Sequence, residues 1–287
     1  MTTQKYTLIP TLSTPAGSCL TAENWRDAGV DCVSYSLTSL VIKPGMAYLA
    51  QLPDWTKYTG WSGDWVLNAS METAPSIERK YTFRSPYDGA RLSCSMDEIV
   101  AIIMHLKPVR VILPIGFHAV GDDVLHTLSE ITRLFVPIDE QIYYSNHYVS
   151  GLYYECESAK DMLDSIAEHQ LQFPNYGAVI ASAAKQFMGT DLLKLDCSAT
   201  LTMTDIFFES NVPAEDAYFG RVYTHEGVIE LQNNIYATQF EPIDSTCSCP
   251  TCKQKLTRAY LHHLLEHTPL LCQRLLIQHN VYYLNHT

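Results

Sequence analysis

The sequence predicts an α/β protein built on a parallel sheet, open or closed into a barrel, with a helical C-terminal unit organised around a metal. Three observations predict it. Seven short apolar runs alternate with amphipathic helical stretches over the first two-thirds of the chain. Near residue 220 that alternation stops at a hairpin. Three cysteines then crowd into six residues ahead of a long helical stretch.

The expected strands cover residues 6–10, 32–37, 65–68, 109–115, 151–155, 177–180 and 205–209, most of them bounded by Gly, Pro or Asp and rich in β-branched or aromatic residues. Between them, Ser95-Met96-Asp97-Glu98 reads as a capping box, after which Ile99, Ile102, Ile103 and Leu106 keep helical spacing. Residues 122–135 carry Val124, Leu125, Leu128, Ile131 and Leu134, and residues 158–171 carry Met162, Leu163, Ile166 and Leu171; both read as helices. Residues 222–232 read as a hairpin turning at His225-Glu226-Gly227. Residues 257–267 and 269–284 read as two helices, with Pro269 opening the second.

Composition narrows the functional classes. The chain has 287 residues, 47% hydrophobic and 17% charged, which is ordinary for a globular protein with a sizeable core. Its net charge is −12, with nineteen basic residues against thirty-one acidic ones. Nucleic-acid backbones need clustered Lys and Arg, so direct nucleic-acid binding is not expected. The start, MTTQKYTLIP, has no apolar leader core, and no apolar run is long enough to span a bilayer, so no membrane insertion is expected. Nine cysteines, an odd number, then indicate a reduced, cytoplasmic compartment.

In such a compartment the pattern Cys247-x-Cys249-x2-Cys252 indicates a metal site. Three thiolates in one turn, held by Pro250, can wrap a zinc ion, which takes four ligands in a tetrahedron. The fourth comes from elsewhere, and spacing leaves His262, His263, His267, Cys272 and His279 open. A closed set of four leaves no position for water, so the zinc is expected to be structural and to contribute folding free energy.

The stretch from Cys247 through Arg258-Ala259-Tyr260-Leu261-His262-His263-Leu264 to His279-Asn280 resembles the zinc subdomain of the tRNA-guanine transglycosylase (queuine tRNA-ribosyltransferase) family. That resemblance makes His279 the fourth ligand. Upstream, Ala28-Gly29-Val30-Asp31 with Lys43-Pro44-Gly45, then residues 82–89, and Asp205-Ile206-Phe207-Phe208-Glu209 followed by Pro213 and Gly220 resemble further family segments in the same order. The resemblance implies an irregular (β/α)8 barrel over residues 1–240 with a zinc-binding helical subdomain over 241–287. The chain is shorter than the family pattern between Ile115 and Glu209 and after Asn280, so reduced barrel units are expected.

The same resemblance implies where chemistry belongs. The family uses an Asp nucleophile, a second Asp in a D-S-G-G-[FY]-Q loop and a third that reads the base. Carried over by position, these fall on Glu209, Trp61 and Ile115, and the family's paired Arg fall on Glu215 and Tyr218. An indole relays no proton, Ile bonds no guanine, and Glu is a methylene longer than Asp. Asp64 and Asp88 are the alternative acids. The segment matching N-T-Y-H-L reads Ser36-Leu37-Thr38-Ser39-Leu40. The expectation is a non-catalytic protein with no catalytic residue, a dimer or a subunit of a larger cytoplasmic assembly that binds protein partners. The family's accessory subunit, similar at Phe208-Glu209-Ser210, and an enzyme with altered chemistry on Glu209 are the alternatives.

Overall fold

The computed structural model describes residues 6–71, 73–145, 147–156, 178–183 and 205–286. The strands in chain order are β1 (Thr7–Ile9), β2 (Cys32–Ser36), β3 (Asp64–Asn68), β4 (Lys80–Arg84), β5 (Arg91–Ser95), β6 (Arg110–Ile112), β7 (Arg133–Pro137), β8 (Val149–Cys156), β9 (Ala178–Ala183), β10 (Asp205–Glu209), β11 (Arg221–Thr224) and β12 (Gly227–Glu230). The helices are α1 (Ala22–Asp27), α2 (Leu37–Ile42), α3 (Met46–Leu49), α4 (Trp55–Thr59), α5 (Met96–Leu106), α6 (Asp122–Ser129), α7 (Val212–Tyr218), α8 (Pro250–Lys253), α9 (Arg258–His267) and α10 (Pro269–His286).

Eight strands form one parallel sheet in the order β1-β10-β9-β8-β7-β6-β3-β2. Its two ends meet. The Ser34 N–H donates to Pro10 O at 2.9 Å and the Leu12 N–H to Ser34 O at 2.8 Å, a bridge that draws β1 beside β2 and curls the sheet into a barrel. Because side chains alternate along a strand, every strand sends alternate residues inward. One inward residue from each strand builds the barrel's own core: Ile9, Cys32, Val66, Ile112, Phe135, Tyr153, Ile180 and Phe207. Gly151 makes room for that filling, since a Cβ there would lie 2.6 Å from the Phe135 ring and 2.4 Å from Ala178 O. The shortening between Ile115 and Glu209 therefore removes no strand from the barrel.

The capping box at Ser95 forms as expected, with the Glu98 N–H on Ser95 Oγ and the Ser95 N–H on Glu98 Oε2, and Ile99, Ile102 and Ile103 of α5 are buried. The helix expected over 122–135 is corrected: α6 stops at Ser129 and β7 takes Arg133–Pro137. The hairpin β4–β5, which the strand pattern had not flagged, stands apart from the barrel sheet. The helix expected over 158–171 lies outside the described residues. The β11–β12 hairpin turns where expected, and α10 packs on α1, α7 and β11, so the C-terminal unit sits against the barrel's outer layer. Among the described residues no helix is long and apolar enough to cross a membrane.

Candidate metal centre and barrel mouth

Cys249 caps α8, where its sulfur accepts the Cys252 N–H at 3.2 Å, and Pro250 takes the first helical position. That short turn aims Cys247, Cys249 and Cys252 at one point. Two hydroxyls tie it to α10: Thr251 Oγ1 donates to Leu275 O at 2.7 Å, and Ser248 Oγ meets Tyr282 OH at 2.9 Å. His279 lies between those anchors on the same face of α10, one turn from each. Its Nδ1 is 3.7, 3.4 and 3.3 Å from the sulfurs of Cys247, Cys249 and Cys252, and all four ligand atoms lie within 4.8 Å of one another. Zinc bonds of about 2.3 Å to sulfur and 2.0–2.1 Å to nitrogen at the tetrahedral angle put sulfur and nitrogen about 3.5–3.6 Å apart. The four residues could thus hold one metal ion, and the donor set fits zinc.

The surroundings fix the imidazole. His279 is fully buried, and its Nε2 lies 2.7 Å from Tyr223 O; a carbonyl accepts only, so Nε2 carries a proton and Nδ1 is the nitrogen turned to the cysteines, the one that would ligate a metal. Burial opposes a charge on His279, yet the thiols of Cys247 and Cys249 push it up to about 10. Hydrogen bonds from Cys249 and Cys252 pull Cys247 far below the ordinary thiol range, while the same cluster pushes Cys252 above it. Several sulfurs can ionise together in this space only against positive charge at the centre, which a divalent cation supplies.

The other ligand candidates are engaged elsewhere. His262 Nδ1 bonds Leu231 O at 2.6 Å, the His263 ring lies tilted against that of His267 with centroids 4.4 Å apart, and the Cys272 thiol donates to Leu261 O at 3.2 Å. Asp244, three residues before Cys247, accepts the backbone and ring N–H of His225 and both the backbone N–H and hydroxyl of Thr246. It pins the β11–β12 turn to the start of the cysteine loop. Burial would raise its pKa, but these four bonds hold it well below the carboxylate range.

At the C-terminal end of the barrel strands, where barrel enzymes place their chemistry, Glu209 closes β10. Its side chain points inward and is 3% exposed. The Ser34 hydroxyl bonds Oε1, and Asn68 Nδ2 donates to Oε2 at 2.7 Å, so the carboxylate ties β10 to β2 and β3 across the mouth. Glu155 of β8 adds a second negative charge nearby, two strands away at the same level. Burial raises the Glu209 pKa above its ordinary 4.5, against the opposing bonds from Ser34 and Asn68.

That shift has a testable sign. A carboxylate raised by folding binds its proton more tightly in the folded chain, so the stability from protonation is present at low pH and is lost as pH rises through the folded pKa. Glu209→Gln, which needs no proton to be neutral, should match the parent in thermal melts near pH 4.5 and exceed it as pH rises above the ordinary carboxylate range, levelling off once the folded carboxyl has ionised. A constant difference across that range would count against a neutral-form preference.

The positional carry-over to Trp61 is corrected. Trp61 lies before β3, at the opposite end of the barrel from Glu209, with its indole N–H on Asp64 O at 2.8 Å. The residue that β3 brings to Glu209 is Asn68, an inward-facing polar residue at a strand end, and that alternation was the available signal for it and for Ser34. Asp64 opens β3 and pairs with Arg110 at 3.2 Å, away from the mouth. Asp88 serves a turn, accepting the Ala90 N–H at 3.1 Å. Ile115 follows β6, half exposed, its carbonyl accepting from Tyr81 OH at 2.8 Å. Ser36 caps α2. Glu215 is exposed on α7, and Tyr218 on the same helix packs against the core.

The family profile described as TGT, Queuine tRNA-ribosyltransferase, matches residues 204–287. The queuine tRNA-ribosyltransferase of Clostridium kluyveri (strain NBRC 12016) is 44% identical over 79 residues, covering 28% of this chain and 21% of that protein. The same enzyme of Clostridium perfringens (strain 13 / Type A) is 42% identical over 79 residues, 28% of this chain and 20% of that one. That of Lachnospira eligens is 44% identical over 80 residues, 28% and 21%. The chain thus covers about a fifth of the length of these curated relatives. The matched stretch holds β10 and α7 as well as the cysteine turn and His279, which make the candidate metal centre.

Proposed function

We infer that this chain, which belongs through residues 204–287 to the queuine tRNA-ribosyltransferase family, is a non-catalytic member of it: a zinc-stabilised barrel that serves as a structural, protein-binding subunit of a larger cytoplasmic assembly. The observation that carries the reading is the state of Glu209. An attacking carboxylate needs an accessible oxygen facing its target. Here both oxygens are engaged, one by a hydroxyl and one by an amide, and the side chain is buried. Asn68 supplies an amide beside it, which donates a hydrogen bond but shuttles no proton at neutral pH.

Zinc on Cys247, Cys249, Cys252 and His279 holds the C-terminal unit together in this reading, and the four protein ligands leave no position for a reacting water. Exposed Tyr260, Leu270, Leu271 and Phe240, on or beside α9 and α10, give that unit an apolar outer surface suited to a second copy or another subunit.

A second reading, altered base-exchange chemistry on Glu209, is favoured by Glu155 sharing the mouth with it. One assay separates the two. Guanine exchange into tRNA should be absent for the zinc-loaded protein and indistinguishable from Glu209→Ala. Turnover that disappears in Glu209→Ala sinks the non-catalytic reading.

A further inference from the structure

The charge of −12 is unevenly spread. In the β4–β5 hairpin the register pairs Lys80 with Ser95, Thr82 with Ser93 and Arg84 with Arg91, and these six residues share one face. The other face carries Tyr81, Phe83, Leu92 and Cys94, of which Tyr81, Phe83 and Cys94 pack against the body of the protein. The outward face thus presents three cations and the hydroxyls of Thr82 and Ser93, while the Ser95 hydroxyl is held by Glu98 at the cap of α5. Lys80 is partly neutralised by Glu78 at 3.0 Å, while Arg84 and Arg91 have no carboxylate partner among the described residues. Like charges directly opposite one another destabilise a ribbon, so the Arg84–Arg91 pair is a local cost that an anionic partner would relieve.

Two apolar features accompany the cations. Ile77, just before β4, is completely exposed, and Tyr87 at the tip is 68% exposed with Lys43 Nζ 3.9 Å from its ring centroid. An open groove of about 740 Å³ runs beside the ribbon; Ile77, Lys80, Thr82, Arg91, Leu92 and Ser93 line it together with Ser76 and one acid, Glu78, the partner of Lys80. Among the described residues no third strand pairs with β4 or β5. Cations, side-chain hydroxyls, exposed aliphatic groups and unpaired strand edges fit an extended peptide that adds alongside the ribbon. A nucleic-acid strand would leave Ile77 without apolar cover.

We propose that the outward face of the β4–β5 hairpin docks an acidic, extended segment of a partner protein, its carboxylates on Arg84, Arg91 and Lys80 and its apolar side chains against the exposed Ile77 beside that face. The assignment rests on the protein-binding reading above and names one of its contact faces.

The test is fluorescence anisotropy on the full, zinc-loaded chain with a labelled short peptide alternating Glu and Leu. A peptide alternating Lys and Leu and an oligouridylate of equal charge are the comparison probes. The acidic peptide should bind best, more weakly as salt rises. Arg84→Glu with Arg91→Glu should weaken it at least about tenfold, while the thermal melt stays at the parent value or rises as the opposed cations are removed. Arg84→Gln with Arg91→Gln gives a milder version should the reversal disturb folding. Absence of acidic-peptide binding, equal or tighter binding of the oligouridylate, or binding indifferent to both pairs of substitutions would overturn the proposal. The exchange assay keeps the two readings separable: a silent assay with no peptide binding removes the hairpin face alone. Glu209-dependent turnover removes the non-catalytic reading, whatever the peptide does.

Discussion

Cys249→Ala should release the metal and unfold the C-terminal unit, while Cys272→Ala, a buried thiol outside the cluster, should retain it. The expected stoichiometry by elemental analysis is one zinc per parent chain, one for Cys272→Ala and none for Cys249→Ala. The contrast follows from what each sulfur touches. Cys272 donates a single weak bond to Leu261 O and fills apolar space, so its loss costs about 1 kcal/mol. Cys249 is a ligand candidate, the cap of α8 and the acceptor of the Cys252 N–H at once. Structural zinc in small peptides is worth about 10–16 kcal/mol of binding free energy that appears as folding free energy. Even a fraction of that exceeds the tethering through Thr251 and Ser248, each a single hydrogen bond. Chelator added to the parent should reproduce the Cys249→Ala melt. If chelator leaves the parent melt unchanged while zinc is removed, the metal is not holding the unit.

The Cys3His cluster that could hold a metal was legible in the chain because its information is local: three cysteines in one turn and a helical residue to complete them. Spacing alone left five residues open for the fourth position. His279 is distinguished by the Tyr223 carbonyl that fixes its tautomer, a contact between residues 56 positions apart. The barrel mouth was harder for the same reason. Glu209, Ser34 and Asn68 come from three strands, and β2 meets β10 only because β1 lies between them where the barrel closes. Matching by sequence order placed Trp61 at the mouth, whereas pairing of β3 with β2 and β6 puts Asn68 there. The helix expected over 122–135 failed because Ile131 and Leu134 keep a helical period by coincidence. No Gly or Pro interrupts the stretch, and pairing with β6 and β8, which leaves no local signal in the sequence, commits residues 133–137 to the sheet. The β4–β5 hairpin did alternate, with Tyr81 and Phe83 before Asp88-Gly89 and Leu92 and Cys94 after it, and that period was the signal left unread.

Asn280→Ala should destabilise the folded chain by about 3–5 kcal/mol and weaken zinc retention as well, although Asn280 is no ligand candidate. Its side chain is fully buried, with Oδ1 accepting the Tyr223 N–H at 3.0 Å and Nδ2 donating to Arg221 O at 2.9 Å and Pro213 O at 3.2 Å. Truncation strands three backbone groups where water does not reach. Neighbouring His279 grips the carbonyl of the same Tyr223, so two successive residues of α10 clamp one residue of β11 from both of its peptide groups. Loosening one arm frees the other, and the imidazole loses the contact that keeps Nδ1 aimed at the cysteines. Asn280→Asp sharpens the test. It keeps the acceptor for Tyr223 but sets a carboxylate against two carbonyl oxygens, which favours the protonated form in the folded state. Its stability deficit should therefore be smallest at low pH and widen as pH rises above the ordinary carboxylate range. Urea unfolding of both variants, with chelator competition for zinc, reads the two effects together. A parent-like midpoint with zinc retained in Asn280→Ala would show that the clamp on Tyr223 supports neither the fold nor the metal.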